Sequence, residues 1–363
     1  MKVTALTTQL VNLPLEKPIR TAIHDMRSVG CVCLTIHTDE GLVGEAYAFS
    51  LNAQRLNVFD EMIKGLAHLV VGKDPHYSEG IWQSIWQEIN PSGLEGITIS
   101  ALSTIDTALW DIVGKAAQQP LYKLFGACRD SVATYASGGL WLSASIDELV
   151  IEADELVQQG FVAMKLRLGK ATIAQDIERV KQVRQAIGPD IELLCDANQA
   201  FTPKHAIRLG KELQAHGVNW LEEPVAAYDL KGHAQVRDAL SLDVASGEGE
   251  YTRFGIQAMI EAGAADILMP DLQRIGGLTE MRRVAHLAGA HNLPISTHIF
   301  TEQSLSIAGS CSNCISISIE HMPWYARLFN ESMVLQDGKL NMPTSHGLGF
   351  TFNTELLEHY AIN

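Results

Sequence analysis

From about residue 131 the chain repeats one pattern eight times. A short apolar run ends in a polar or ionisable residue, and an amphipathic stretch follows. The runs are Val132–Ser137, Phe161–Arg167, Ile191–Asp196, Asn219–Glu222, Asp243–Glu248, Asp266–Asp271, Pro294–His298 and Ile315–Glu320. Helix starts are legible between them. Ser145 with Glu148 spells a capping box, Thr172 with Gln175 opens the next helix, and Thr202-Pro203 places proline at a first helical position. Alternating strands and helices predict a parallel sheet, and eight such units predict a closed (β/α)-type barrel.

The first part of the chain has another rhythm. Residues 1–60 carry β-branched, alternating stretches with a turn signal at Asp39-Glu40-Gly41. From Asn57 to Leu124 the period becomes helical, with Trp82 and Trp86 four apart. An α+β domain is therefore expected over residues 1–125 and the barrel over residues 126–323. Residues 324–363 hold no further strand–helix unit and are expected to pack back on the first domain.

Composition excludes several classes of function. Lys plus Arg total 27 and Asp plus Glu 42, a formal net charge of −15, which argues against nucleic acid and anionic membranes as partners. No apolar run is long enough to span a bilayer, and the first residues lack the apolar segment of a signal peptide. Cys31-Val-Cys33 and Cys311-Ser-Asn-Cys314 complete no zinc pattern, so the cysteines read as free thiols and the expected location is the cytoplasm.

In a barrel the residues at the C-terminal strand ends meet at one mouth. Here these are Ser137, Lys165 with Arg167, Asp196, Glu222, Glu248, Asp271, His298 and Glu320. Strand alternation sends Phe161, Ala163, Lys165 and Arg167 inward and Val162, Met164 and Leu166 towards the helices. In the last strand it sends Ser316, Ser318 and Glu320 inward. Asp196, Glu222 and Glu248 lie on consecutive strands. Three unpaired carboxylates in a low-dielectric site repel one another, and a hard divalent cation removes that cost, so one Mg²⁺ is expected there. Asp271 precedes His298 by one strand. An aspartate accepting from one imidazole nitrogen fixes the tautomer and makes the other nitrogen a better base.

These residues resemble the enolase superfamily, and within it the mandelate racemase/muconate lactonizing enzyme family. The resemblance rests on Ile105-Asp-Thr-Ala-Leu-Trp-Asp-Ile-Val-Gly-Lys115, Pro120-Leu-Tyr-Lys-Leu-Phe-Gly126, Lys165-Leu-Arg167, Asp196-Ala-Asn198, Glu222-Glu-Pro224, Gly247-Glu248, Asp271, His298 and Glu320. It implies an α/β fold, a modified TIM (β/α)7β-type barrel behind an α+β N-terminal capping domain, assembled as a homo-oligomer. It implies a small-molecule carboxylate substrate whose α-proton is removed while Mg²⁺, Lys165 and Glu320 stabilise the enediolate. Glu320 would donate a hydrogen bond, which requires a protonated carboxyl of raised pKa. Arg167 departs from the second lysine of the family's racemases. Arginine is a poor base and a good oxygen clamp. One-base dehydration of a sugar acid by His298, giving a 2-keto-3-deoxy acid, is thus favoured, with racemisation or epimerisation of a 2-hydroxy or amino acid as the alternative and a catalytically degenerate scaffold as a third reading. Also by resemblance, segments 20–27 and 47–50 form a substrate lid, making Arg20, His24, Arg27 and Tyr47 candidate binding residues. Asn198, Ser137 and Trp324 complete the candidate set, with Trp141 a possible wall. Arg274-Ile-Gly-Gly277 reads as a tight turn.

Overall fold

A computed structural model describes residues 1–313 and 319–362. The first domain opens with an antiparallel meander: β1 (Val3–Arg20), β2 (Asp25–Thr38) and β3 (Val43–Leu51). Helices α1 (Leu56–Gly65), α2 (Ser78–Ile89), α3 (Ile97–Ala116) and α4 (Leu121–Leu124) follow. The sheet lays Val32, Leu34 and Ile36 on α3, whose inner face carries Leu102, Ile105 and Leu109. At the tightest crossing, a Cβ on Gly44 would stand 2.0 Å from the Ala108 carbonyl oxygen. Gly44→Ala is therefore expected to destabilise the protein by about 2–3 kcal/mol through overpacking, measured by urea unfolding. An unchanged unfolding midpoint would refute the close contact.

The barrel runs through β4 (Ser131–Ala136), α5 (Ile146–Gln158), β5 (Ala163–Arg167), α6 (Ile173–Ile187), β6 (Glu192–Asp196), α7 (Pro203–Ala215), β7 (Val218–Glu222), α8 (Leu230–Ala239), β8 (Asp243–Ser246), α9 (Thr252–Glu261) and β9 (Ile267–Leu268). Then come α10 (Leu272–Ile275), α11 (Gly277–Ala290), α12 (Thr301–Ser310) and β10 (Ile319–His321). Both capping boxes, at Ser145 and Thr172, are formed. Strands β4 to β9 pair in parallel in chain order, and β10 pairs in parallel with β4.

The seventh expected strand is not a continuous ladder. Residues 294–298 are held by parallel bridges Leu268↔Ile295 and Asp271↔His298, and Glu320 N donates to the Thr297 carbonyl, which closes the ring. Pro270 explains the interruption, since it stands between the two bridges and has no N–H to donate. Of the eighth expected strand, Ile315–Ser318 lie outside the described residues, as does Cys314; the inward placement expected for Ser316 and Ser318 falls there too.

Tyr135, Ala163, Leu194, Trp220, Ala245, Ile267 and Met269 fill the barrel interior. Met164 and Leu166 pack under the surrounding helices. Phe161 joins them rather than the interior, because the strand begins only at Ala163 and alternation does not reach back to it. Residues after 323 touch both domains. A hairpin of β11 (Leu335–Gln336) and β12 (Lys339–Asn341) pairs with β4, and α13 (Thr354–His359) leads to an antiparallel bridge Val11↔Ala361.

The first domain is tied to the segment that follows Asp271. Phe49 N donates to Gln273 Oε1 at 2.7 Å, Ser103 Oγ to the Leu272 carbonyl at 2.7 Å, and Trp82 Nε1 to the Gly276 carbonyl at 2.9 Å. Asp106 accepts from Thr279 N at 2.8 Å and Thr279 Oγ1 at 2.6 Å, capping the first turn of α11 from across the domain junction. The expected turn at 274–277 is present, with Gly276 and Gly277 both left-handed. Cys31, Cys33, Cys195 and Cys311 are buried, Cys128 is exposed, and all five are free thiols. Among the described residues no helix is long and apolar enough to cross a membrane.

Candidate active site

Strand register builds the site. Arg167, Asp196 and Glu222 are Cα partners across β5, β6 and β7 and stand on one level at the mouth. The apolar interior beneath them excludes water, and Trp220 meets Tyr135 edge-on at 5.3 Å. Lys165, two residues below Arg167 on the same face, reaches up from this floor. Its Nζ lies 2.7 Å from Glu222 Oε1, 2.9 Å from Glu320 Oε1 and 3.8 Å from Asp196 Oδ2, at 1% exposure. Burial pulls the ammonium down, but Glu222 and Glu320 outweigh it and hold it well above its usual pKa.

The carboxylates divide into two kinds. Burial pushes Glu320 up, yet Lys165, His298 and Arg167 hold it below the ordinary carboxylate range. The geometry agrees: Glu320 accepts from the Ser137 hydroxyl, from Lys165 and, at 2.6 Å, from Ile299 N. This corrects the expectation of a protonated Glu320 acting as donor; here it is an acceptor at three points. Glu222 is pushed the other way, to about 8, by burial and by Asp196, Glu320 and Glu248, against the pull of Lys165. Its Oε2 is buried without a hydrogen-bond partner.

Among the described residues, no three acid, imidazole or thiol groups already enclose one point as a cation cage. Glu222 gives one oxygen to Lys165, and Glu248 Oε2 meets His298 Nε2 at 3.1 Å. The donor set nonetheless fits Mg²⁺. Asp196, Glu222 and Glu248 offer only hard oxygens, and the buried Glu222 Oε2 lacks a partner. Asn198 steadies Asp196, donating from its backbone N at 2.8 Å and from Nδ2 at 3.0 Å.

Beside Glu248, His298 Nδ1 meets Asp271 Oδ2 at 2.8 Å. Asp271 is itself fixed, because its other oxygen accepts from Arg274 N at 2.9 Å and caps α10. Asp271 on Nδ1 assigns a proton there, and Nε2 faces the cavity with Glu248 Oε2 3.1 Å away, so Nε2 is a free base only when Glu248 is drawn to another cation. Burial lowers the imidazole, but Glu248 and the Asp271 hydrogen bond push it up to about 9. The largest raising contribution comes from Glu248, so this basicity depends on what Glu248 faces.

Arg167 is locked. Nη1 donates to the carbonyls of Ser137, Gly139 and Lys165 at 2.8, 3.1 and 3.2 Å, and Nη2 donates to Ser137 Oγ at 2.7 Å. The guanidinium also sits 4.1 Å from the Trp141 ring centroid. Only Nε is unpartnered, with Asp196 Oδ2 3.9 Å away.

A cavity of about 160 Å³ lies over these groups, with Lys165, Arg167, Asp196, Asn198, Glu248, His298 and Glu320 on its barrel side. Trp141 and Trp324 stack at 5.6 Å and form one wall. His24 lines the cavity from the first domain. Other expected contacts are placed elsewhere. Arg20, 61% exposed, pairs with Asp25, and Arg27 stands exposed; neither lines the cavity. Tyr47 is buried against Tyr325 and Phe300 at 4.9 and 5.0 Å, because its place in β3 points it into the domain junction. Ser137 is fully buried between Arg167 and Glu320, beneath the cavity rather than in its wall.

The structure adds Gln199, Glu223, Phe49 and Arg274 to the wall. Strand alternation turns Glu223 away from the mouth, but left-handed backbone at Glu223, Asn198 and Gln199 brings it back. Gln199 Nε2 then bonds both its oxygens, at 3.1 and 3.2 Å. Gly247 is left-handed as well, and a Cβ there would stand 3.1 Å from Met269 N.

Comparison with known proteins bears on this geometry. Residues 3–126 match the mandelate racemase/muconate lactonizing enzyme N-terminal domain, and residues 148–356 match the enolase C-terminal domain-like family. The chain belongs to the mandelate racemase/muconate lactonizing enzyme family. It is 32% identical to an L-talarate/galactarate dehydratase of Salmonella typhimurium over 352 residues, 95% of this chain and 88% of that protein. It is also 32% identical to a D-galactarolactone cycloisomerase of Agrobacterium fabrum over 382 residues, 100% of this chain and 99% of that one. A solved structure of an L-talarate/galactarate dehydratase mutant liganded with Mg and L-glucarate superposes with a TM-score of 0.95 at 30% identity, covering 100% of this chain and 92% of that one. Family members solved with bound magnesium recur among the structural neighbours. The fold is thus the family's capping domain and barrel, and its relatives are sugar-acid dehydratases and cycloisomerases.

Proposed function

We propose that the chain removes the α-proton of a sugar acid and eliminates its β-hydroxyl as water, giving a 2-keto-3-deoxy acid. The observation that carries this reading is the asymmetry of the two faces of the cavity. His298 turns Nε2 into the cavity with Asp271 held on Nδ1, whereas Arg167, also in the cavity wall, spends four hydrogen bonds on the protein. Racemisation needs a group to take a proton on one face and another to deliver it on the opposite face. Elimination runs with one group.

Asp196, Glu222 and Glu248 would hold Mg²⁺, which when bound supplies the positive charge that stabilises an enediolate. His298 Nε2 takes the α-proton, and Asp271 holds the resulting imidazolium in place. The imidazolium then returns the proton to the leaving β-hydroxyl, so that one C–H and one C–O bond break, a carbon–carbon double bond forms and water departs. The enol product tautomerises to the ketone. Lys165 donates to the developing oxyanion. Glu320 anchors Lys165 and Ile299 N rather than donating itself. Arg167 offers one N–H, from Nε, and a fixed charge. Asn198 orients Asp196, and His24 and Trp324 contact the substrate's remote end. A homo-oligomer of a cytoplasmic enzyme is the setting this reading implies.

The test is a panel of aldonic and aldaric acids incubated with Mg²⁺ and scored for 2-keto acids. Product is expected from at least one acid, and chelation with EDTA is expected to remove the activity until Mg²⁺ is restored. Loss of optical rotation in a simple 2-hydroxy acid, with no 2-keto acid from any sugar acid, would favour the racemase. Inertness towards all of them, with no Mg²⁺ bound, would favour a scaffold.

A further inference from the structure

The half of the cavity that faces the first domain is chemically unlike the half made by the strand ends. Its walls there are Ile23, Met26, Phe49 and Leu51. The stacked faces of Trp141 and Trp324 continue the apolar surface to one side, and Met322 lies beside them. This domain contributes two polar groups to the wall, Thr21 and His24, and no lysine or arginine. The Thr21 hydroxyl already accepts from Ile23 N at 3.3 Å and His24 N at 3.1 Å. The cations on the barrel side already have protein partners. Lys165 holds Glu222 and Glu320, Arg167 holds backbone carbonyls, and Arg274 Nη1 donates to the Glu248 carbonyl at 2.6 Å. Arg55 lines an adjoining chamber of about 460 Å³ that shares Ile23, His24, Phe49 and Leu51 with this cavity, and its Nη1 bonds Gln54.

A substrate whose carboxylate end sits among the strand-end groups must direct its other end at this apolar surface. A second carboxylate there would leave water for a surface that offers the Thr21 hydroxyl and the His24 imidazole but neither lysine nor arginine, which is unfavourable, and a terminal hydroxyl would exchange its hydrogen bonds to water for at most those two groups. A methyl group would gain from burial. Resting on the dehydration reading for its orientation, the geometry points to a monocarboxylic 2,3-dihydroxy acid with a hydrocarbon terminus. Among sugar acids this is a deoxyaldonate ending in a methyl group. Ile23, Met26, Phe49 and Leu51 are then the specificity-determining surface that excludes dicarboxylic sugar acids.

The experiment uses the wild-type Mg²⁺-loaded enzyme and acids that differ only at C6. Fuconate, galactonate and galactarate share one configuration and end in CH₃, CH₂OH and COO⁻. Rhamnonate, mannonate and mannarate form a second such series, and both enantiomers of each chiral acid are used. In whichever series reacts, kcat/KM is expected to be about 10-fold higher for the methyl acid than for the hydroxymethyl acid, and at least about 100-fold higher than for the dicarboxylate. A dicarboxylate turned over as well as the methyl acid overturns the inference while leaving dehydration intact. If no acid in either series yields a 2-keto acid, α-proton exchange into deuterium oxide is compared for mandelate and tartrate. Faster exchange of mandelate keeps the apolar terminus and discards dehydration. Faster exchange of tartrate, or exchange of neither, discards both.

Discussion

His298→Asn is expected to lower the rate of 2-keto acid formation by about 10³-fold, with KM close to wild type. It should lower exchange of the substrate α-proton with solvent deuterium in parallel. Asparagine keeps a polar group of similar reach but cannot accept a proton at neutral pH. Its effect therefore separates proton transfer from packing. Asp271→Asn is expected to approach the same loss, because an amide N–H facing Nδ1 would favour the tautomer that places the proton on Nε2. The backbone bridge Asp271↔His298 and the ties from Phe49, Ser103 and Trp82 to residues 272–276 lie outside the side chains changed, so folding should be preserved in both variants. Circular dichroism and unfolding midpoints check this. A His298→Asn enzyme that still exchanges the α-proton at the wild-type rate would remove His298 from its role and return attention to Arg167.

Lys165→Met is expected to act on stability and activity together, and its stability effect should depend on Mg²⁺. The ammonium is the buried cation between Glu222 and Glu320, with Asp196 close by. Removing one partner from a buried ion pair leaves uncompensated charge and costs about 3–5 kcal/mol. A cation bound by the same carboxylates replaces part of the missing charge. A ligand that binds only the folded state stabilises it through RT ln(1 + [L]/Kd). Thermal unfolding in EDTA should show a large loss for Lys165→Met, and excess Mg²⁺ should recover more of it in the variant than in wild type. Activity should stay low by about 10²–10³-fold even with Mg²⁺ restored, since an oxyanion donor is gone. An equal Mg²⁺-induced rise in Tm for both proteins would show that the cation site and Lys165 do not share carboxylates.

Much of this architecture was legible along the chain, and the reason is periodicity. A strand–helix unit writes itself as an apolar run and a capped amphipathic stretch. Ser145 with Glu148 and Thr172 with Gln175 could be read because a capping box is a contact over three residues. Lys165 and Arg167 could be assigned to one face because strand alternation is local. The interrupted strands near Pro270 were less legible, since an apolar run is read by composition and a missing N–H is decided by its neighbour across the sheet.

Local pattern along the chain dictated the fold class, the residues that stand at the strand ends, and therefore the groups available at the mouth: hard oxygens, an imidazole and two cations. How those groups are spent depended on long-range packing. Ser137 turned out to be a buried link between Arg167 and Glu320, Glu320 an acceptor rather than a donor, and Tyr47 a packing residue of the domain junction. Glu223 reached the cavity through left-handed backbone that alternation does not foresee. The apolar wall of Ile23, Met26, Phe49 and Leu51 came from residues far in sequence from the barrel. The physical reason is one of range. Strand placement follows from local pattern, whereas the direction of a hydrogen bond, the charge of a buried carboxyl and the lining of a cavity are set by atoms brought together only when distant segments pack.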